Sequence, residues 1–480
     1  MCGAAGFHHG QPAALNQGGK TTSVLPMNER PSEPAFDPAR YVEDRAAEGI
    51  FRVAHGAFLE PGIFELEMAR IFESTWVYVG LEGEIPQAHD FTTTQIGRVP
   101  VLMTRDGTGQ IRAFLNSCRH RGTLLCPLRK GHKRVHVCRY HGWSYDAAGR
   151  CVGITSHDQA QYSRAFEAED HGLVPVARVA SYRGFIFASL SPDVPSLEEH
   201  LGEARVFLDL VADQAPQGLE YIPGTVSYTF EANWKYQFEN GLDYYHFVPT
   251  HGSYLRVLRQ RPPMDIPPDM AADLQDPDAE AAGSYHFPRG HAVTWSVGTV
   301  GLGPERRPLP RDAALMAQLR ASHGETKRKW MLRQRNLNIY PNLQVIDIQS
   351  LQVRYWQPLA ADRTRMFSHC LAPIGEDPAA RAFRIRQYEE FFNASGLATA
   401  DDNVMYAWCQ RGYAGASGRM ASQGYARGLG QRPPEAPDYR AELGLLEPGR
   451  AAGKPGFGDE TCFHAGWREW ARLMSAGPRP

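Results

Sequence analysis

No apolar run long enough to cross a bilayer interrupts the 480 residues of this chain; about 18 uninterrupted apolar residues would be needed. Long basic runs are missing too, and the formal net charge is −2. Nucleic acid and anionic membrane surfaces therefore get no electrostatic support as partners. Cysteine is scarce: eight occur, at positions 2, 118, 126, 138, 151, 370, 409 and 462. That is too few and too scattered for a disulfide framework in a chain of this size. The opening stretch MCGAAGFHHGQPAALNQGGK lacks the basic-then-apolar order of a secretory signal, so the cytoplasm is the expected location. Internal repeats are absent as well. What is present is 42% hydrophobic and 22% charged, the balance of a globular protein, with length for two or three modules.

Residues 1–36 are rich in Gly, Pro and Asn without periodicity and read as a loose tail. From Asp44 to Phe72 the spacing predicts helix, above all in FELEMARIFESTW; residues 37–75 are assigned to a helical N-terminal part of the larger domain. Residues 76–192 alternate short β-rich runs with turn signals, "DGTG" and "DAAG" among them, and predict a small all-β domain. Residues 193–480 predict an α+β domain of antiparallel sheet and helices. In it SLEEHLGEARVFLDLV and NWKYQFENGLDYYHF read as helices, GTVSYTFEA and LNIYPNLQVIDIQSLQVRYWQP as strands. The Pro- and Asp-rich stretch 261–283 reads as a long, lid-like loop, and the last sixty residues as poorly periodic.

Two constellations carry chemistry. Cys118-x-His120 is followed after seventeen residues by Cys138-x-x-His141, so two loops each offer one thiolate and one imidazole. That set suits a Rieske [2Fe–2S] cluster, with two thiolates on one iron and two imidazoles on the other. Gly122 and Gly142 would let backbone N–H groups approach the sulfides, and Tyr140, Trp143 and Tyr145 would shield them. A structural zinc site is the main rival, but zinc fingers usually separate their Cys pair from their His pair. Chance produces this order in roughly 0.2% of chains of this composition, so coincidence is set aside.

The second constellation is Asp243-x-x-His246-x4-His251. The spacing predicts Asp243 and His246 on one helix face, with Pro249 ending the helix and His251 folding back. Two imidazoles and one carboxylate form the facial triad of non-haem Fe(II) oxygenases. A given His–His spacing is expected about 0.7 times by chance, so this pair takes its weight from the cluster motif upstream. Spacing leaves two sources for the carboxylate: Asp243, or the Asp401-Asp402 pair, which also reads as the acidic first turn of a helix capped by Thr399.

With these residues in view, the sequence resembles the α subunits of aromatic-ring-hydroxylating Rieske oxygenases, and within them benzoate and anthranilate 1,2-dioxygenases. The resemblance is carried by EDRAAEGIFRV, CRHRGTLLC, CRYHGWSYDAAGR, SYRGFIFASL, NWKYQFENGLDYYH, RNLNIYPNL and QYEEFFNASGLATADD. It implies Cys118, His120, Cys138 and His141 as cluster ligands, and His246, His251 and Asp402 as ligands of a mononuclear Fe(II). Asp243 becomes the acid bridging the two centres between subunits, and Asn240 the active-site asparagine. A helix-grip catalytic domain is implied, as is a trimer of α subunits, often completed by small β subunits. Electrons are expected from a separate NADH-dependent flavin/iron–sulfur reductase, since no G-x-G-x-x-G follows a strand here.

The expected reaction is dioxygenation of an aromatic carboxylate or amine (a benzoate, anthranilate or aniline relative), with monohydroxylation or demethylation as the alternative at the same ligands. Tyr244, Gly252 and the 261–283 loop depart from the subgroup and are expected to touch the pocket. Phe238, Tyr244, His291 and Trp295 are candidate pocket residues that serve equally well as core.

Overall fold

In the computed structural model the described residues are 36–260, 281–298, 303–415, 418, 421–430, 439–445 and 459–475. The tail up to residue 35 and the 261–280 stretch of the expected lid lie outside them; its last residues belong to a strand that begins at Ala282. Among the described residues no helix is long and apolar enough to cross a membrane.

The chain enters as a β-hairpin, β1 (Val42–Arg45) and β2 (Ile50–Ala54), not as the helix expected from Asp44. Gly49 takes φ +79 to turn it, and β2 alternates buried Phe51 and Val53 with exposed Arg52. A period of two, over so few residues, was concealed beside the true helical pattern of Pro61–Glu67 and its continuation Met68–Phe72.

Three antiparallel sheets follow between residues 77 and 189. They are ordered β6-β5-β4-β7, β10-β9-β8 and β11-β12-β3, with β3 at Val77–Leu81, β4 at Asp90–Ile96, β5 at Val99–Arg105 and β6 at Ile111–Leu115. Short strands β7 (Lys130–His132), β8 (Val135–Val137), β9 (Ser144–Asp146) and β10 (Cys151–Gly153) precede β11 (Arg178–Tyr182) and β12 (Phe185–Ser189). The expected turns close them: Gly109 N–H donates to Asp106 O (3.0 Å) and Gly149 N–H to Asp146 O (2.9 Å). Between β11 and β12, Arg183 and Gly184 both take positive φ, the two-residue turn whose twist suits a hairpin.

The rest is built on one antiparallel sheet, β13-β20-β19-β18-β17-β16-β15, with β14 also paired to β20. Its strands are β13 (Leu219–Tyr221), β14 (Val226–Phe230), β15 (Ala282–His286), β16 (Ala292–Ser296), β17 (Gln334–Ile339), β18 (Leu343–Asp347), β19 (Leu351–Ala360) and β20 (Arg363–Pro373). Both faces are buried, and they differ in chemistry. Tyr285, Val293, Leu337, Val345 and Val353 lie opposite one another on one face and join a large apolar cluster. On the other, Asn338, Gln344, Arg354 and Ser368 form a register row, and the segments of the second constellation pack against it.

Two further expectations are corrected. The amphipathic stretch 196–211 falls in two helices, Leu197–Leu201 and Arg205–Asp213, split at Gly202 with φ +50. The last sixty residues contain a long helix, Cys462–Ser475. Its buried Phe463, Trp467, Trp470 and Met474 repeat at helical spacing, a signal hidden by Gly/Pro-rich flanks.

Buried Glu67 joins three segments that are remote in sequence. It accepts from Trp234 Nε1 (2.8 Å), Lys235 Nζ (2.5 Å) and Trp470 Nε1 (2.7 Å). Burial lowers the Lys235 pKa against the pull of Glu67, so the pair depends on both members. Glu67→Ala leaves an ammonium and two indole N–H groups without their acceptor and is expected to cost about 3–5 kcal/mol. Urea unfolding checks this; a loss below about 1 kcal/mol would place the pair in the range of surface ion pairs.

Candidate functional site

The first constellation sits on two loops with the same hydrogen-bond pattern. Cys118 N–H donates to Thr123 O and Cys138 N–H to Trp143 O, both at 2.8 Å; Gly122 N–H donates to Cys118 O and Gly142 N–H to Cys138 O, both at 2.9 Å. The glycines take φ +70 and +75, conformations that favour glycine. At Gly142 a Cβ would also come within 2.0 Å of Thr155 Oγ1. These two glycine N–H groups close the loops on the carbonyls of the two cysteines.

Cys118 and Cys138 are buried free thiols, whereas His120 is exposed and His141 partly so. The two rings meet edge to face, centroids 4.5 Å apart. His120 stacks on Trp143 at 4.9 Å and His141 lies 3.7 Å from Tyr140. Tyr145 Oη stands 3.2 Å from Cys118 Sγ and accepts from Arg119 N–H (3.1 Å). Among the described residues, only His246, His251 and Asp402 form a group of three or more such donors with ligand atoms all within 4.8 Å. The Cys118, His120, Cys138 and His141 donors are therefore spread wider than the tetrahedral shell of one zinc ion. Two thiolates and two imidazoles that do not share one ion suit the split ligand set of a two-iron cluster.

The second constellation departs from the helix expected of it. The helix Trp234–Asn240 ends before Asp243, and the chain resumes helix only at Phe247–Thr250. Asp243 Oδ1 accepts from Tyr245 N–H (2.6 Å) and His246 N–H (3.3 Å), a side-chain turn that competes with the helix. Pro249 does not end a helix; it lies inside the short Phe247–Thr250 turn. The fold-back of His251 beside His246 is present, with the Nε2 atoms 3.3 Å apart.

Asp402 completes the group. Its Oδ1 lies 3.4 Å from His246 Nε2 and 3.2 Å from His251 Nε2, and it accepts from Asn240 Nδ2 at 3.2 Å. The outer ring nitrogens face the other two acids: His246 Nδ1 is 3.5 Å from Asp243 Oδ2 and His251 Nδ1 is 3.6 Å from Asp401 Oδ2. Burial alone would lower the His246 pKa, but Asp243 and Asp402 outweigh it and carry it up to about 10. Burial would raise Asp402, but both histidines hold it well below the usual carboxylate range. A cation at the three inner atoms would take the place of the proton on His246, and imidazole–carboxylate donors suit ferrous iron.

Asp401 and Asp402 occupy the first turn of the helix Thr399–Ala414, but Thr399 does not cap it through its side chain. Its hydroxyl instead donates to Phe392 O (2.9 Å) and accepts from Arg354 Nη2 (2.6 Å).

A cavity borders the ligand set, lined by Asn240, Tyr244 and Asp402 on one side and by Ile346, Arg354, Phe391 and Phe392 among others. Of the four candidate pocket residues, Tyr244 alone lines it. Phe238 packs on the C-terminal helix, where a Cβ at Gly466 would come within 2.4 Å of its ring. Trp295 packs in the core against Trp330, the rings tilted and their centroids 4.8 Å apart. His291 is buried between His200 O (2.8 Å) and Tyr340 N (3.0 Å), and burial lowers its pKa to about 4. Gly252, expected to touch the pocket, does not line it, and a Cβ there would meet nothing within 4 Å.

Gln344, Gln349 and Arg354 line the cavity without having been singled out from the sequence. For Arg354 a signal existed in LQVRYW, where Gln352 and Arg354 alternate with apolar residues, but such alternation also describes a strand with one face in solvent.

Comparison with known proteins agrees with both centres. Residues 75–181 match the Rieske [2Fe-2S] domain family, and residues 221–470 match the family described as ring hydroxylating alpha subunit, catalytic domain. The chain is 42% identical over 436 residues to the α subunit of toluate 1,2-dioxygenase from Pseudomonas putida, covering 90% of this chain and 93% of that one. It is 40% identical to the large subunit of anthranilate 1,2-dioxygenase from Acinetobacter baylyi, covering 80% and 82%. A structure of naphthalene 1,2-dioxygenase with indole bound shares the fold, with a TM-score of 0.74 at 23% identity over 88% of this chain and 92% of that one. The expected small β domain joined to an antiparallel-sheet catalytic domain is thus the observed fold, and the chain belongs to the α subunits of Rieske-type aromatic-ring-hydroxylating oxygenases.

Proposed function

We propose that this chain dihydroxylates an aromatic carboxylate or amine at a mononuclear iron held by His246, His251 and Asp402. It would receive electrons through a Rieske cluster held by Cys118, His120, Cys138 and His141. The observation that carries this reading is the convergence of two imidazoles and one buried carboxylate at the edge of a cavity. Residues 76–192 would form the cluster domain, and 37–75 with 193–480 the catalytic one.

Bound iron supplies the reduction of O₂ and the transfer of its oxygen atoms to the ring, consuming two electrons and two protons. The chain's own groups do the rest. Phe247, Ile346, Ile348, Phe391 and Phe392 give the cavity apolar walls that exclude water and grip a ring. Asn240, touching both His246 and Asp402, holds the ligand set in place. Asp243 fixes the outer nitrogen of His246.

The two centres would communicate between subunits of a trimer. His120 and His141 crown a surface edged by exposed Tyr140, Leu124 and Val137, while exposed Tyr245 and Val248 flank Asp243. Two such apolar edges suit burial against each other, with Asp243 accepting from His141 of the partner subunit. A separate NADH-dependent reductase would supply the electrons, and the cytoplasm would be the setting.

Turnover with isotopically labelled O₂ tests the reaction. Benzoate, anthranilate or aniline should gain both atoms of one O₂; gain of one atom means monooxygenation, and no labelled product from any of them contradicts the reading. The ligand assignment is tested by iron content. Asp402→Ala should lose mononuclear iron and keep its Rieske spectrum, whereas Asp401→Ala should keep iron, with affinity lowered about 10-fold at the outer nitrogen of His251. If Asp401→Ala empties the site instead, the assignment fails. For Asp243→Asn, cluster and iron should remain while turnover falls about 10- to 100-fold; near-normal turnover would reduce Asp243 to a local turn residue.

A further inference from the structure

One side chain in the cavity wall is out of electrostatic balance. Arg354, on β19, is only 4% exposed and lines the same cavity as His246, His251 and Asp402. Its Nη2 donates to Phe392 O (2.8 Å) and Thr399 Oγ1 (2.6 Å). The Nε atom is buried without a partner, and no carboxylate among the described residues pairs with this guanidinium. Other buried arginines are compensated: Arg307 and Arg335 share Asp347, and Arg384 pairs with Glu376. Leaving a buried cation with two neutral acceptors is costly, because they offset only part of its lost hydration.

A second unmet donor lies in the same wall. Gln349 Oε1 accepts from the Tyr254 hydroxyl (2.7 Å), while its Nε2 is buried without a partner. The Arg354 guanidinium also lies over the Phe392 ring at 5.5 Å, so an aromatic wall adjoins the charge. An unpaired cation, a free amide N–H and flat apolar walls together describe a receptor for an aromatic ring bearing a carboxylate. They do not suit an amine, which would bring a second donor to donors.

We infer that Arg354 receives the substrate carboxylate, with Gln349 as a further donor, and that the substrate is therefore an aromatic acid. This inference rests on the reading of the cavity as the site of ring hydroxylation and narrows it. Charged hydrogen bonds of this kind are worth enough to change affinity by about 10- to 100-fold.

Equilibrium titration of the iron- and cluster-loaded protein with benzoate, benzamide and aniline tests it. The wild type should bind benzoate at least about 10-fold more tightly than either neutral ring. In Arg354→Gln that preference should vanish while iron per chain and the Rieske spectrum persist, and Arg354→Lys should recover part of it. A wild type that does not prefer benzoate overturns the inference without recourse to any variant, as does an Arg354→Gln protein that keeps the preference or loses all ligands alike. The two readings fail differently. Oxygenation of aniline or benzamide but not benzoate contradicts the Arg354 assignment alone, whereas oxygenation of no aromatic contradicts the function beneath it.

Discussion

A single buried carboxylate, Asp402, holds the catalytic part of the molecule in register. An ionised acid cannot be left unpaired in an interior, and here two imidazoles and one amide, from His246, His251 and Asn240, converge on its Oδ1. Along a straight helix Asn240 and His251 would stand about 16 Å apart, so they meet only if the helix is broken between them. The break falls at Asp243, whose side chain takes the N–H groups that the helix gives up. The same acid then stands at the outer nitrogen of His246. One residue thus ends a helix, starts the next turn and stands against the His246 ring.

This arrangement is fastened to a rigid sheet. Asn338 Nδ2 donates to Phe238 O (2.6 Å), Gln237 Nε2 to Gln344 Oε1 (3.1 Å) and the Tyr388 hydroxyl to Ser368 Oγ (3.0 Å). Gly241 lies so close to the sheet that a Cβ would fall 1.7 Å from Gln344 Nε2. A polar sheet face buried under helices costs more to form than an apolar one, and it persists where its hydrogen bonds hold a site to tight tolerance. The opposite face of the same strands is plain apolar core, so stability and function are divided between the two sides of one sheet.

Legibility in the sequence followed the distance between interacting residues. Cys118, His120, Cys138 and His141 lie on two neighbouring loops, and their order alone pointed to a cluster. The His246–His251 pair was readable only beside that motif, and its carboxylate stayed ambiguous on spacing because Asp402 arrives from a helix far later in the chain. The helix predicted through Asp243 failed because pattern reports which side chains share a face and not whether the backbone hydrogen bonds continue. Arg354 was passed over because a polar residue in a strand looks the same whether it meets solvent or a cavity, and Gln349 because it sits in the turn between β18 and β19, where polar residues are common. The C-terminal helix was hidden by its flanks, although its aromatic spacing was regular.

The central claim is that two separate iron centres are built from these two sets of side chains. Diffraction from crystals of the cofactor-loaded protein, collected on either side of the iron absorption edge, tests it most directly. Iron-specific density should appear at two places in each chain: a two-iron feature between the Cys118–His120 and Cys138–His141 loops, and a single peak bounded by His246 Nε2, His251 Nε2 and Asp402. Zinc-specific density at the loops, or a mononuclear peak bound by Asp243 with Asp402 left free, would contradict it.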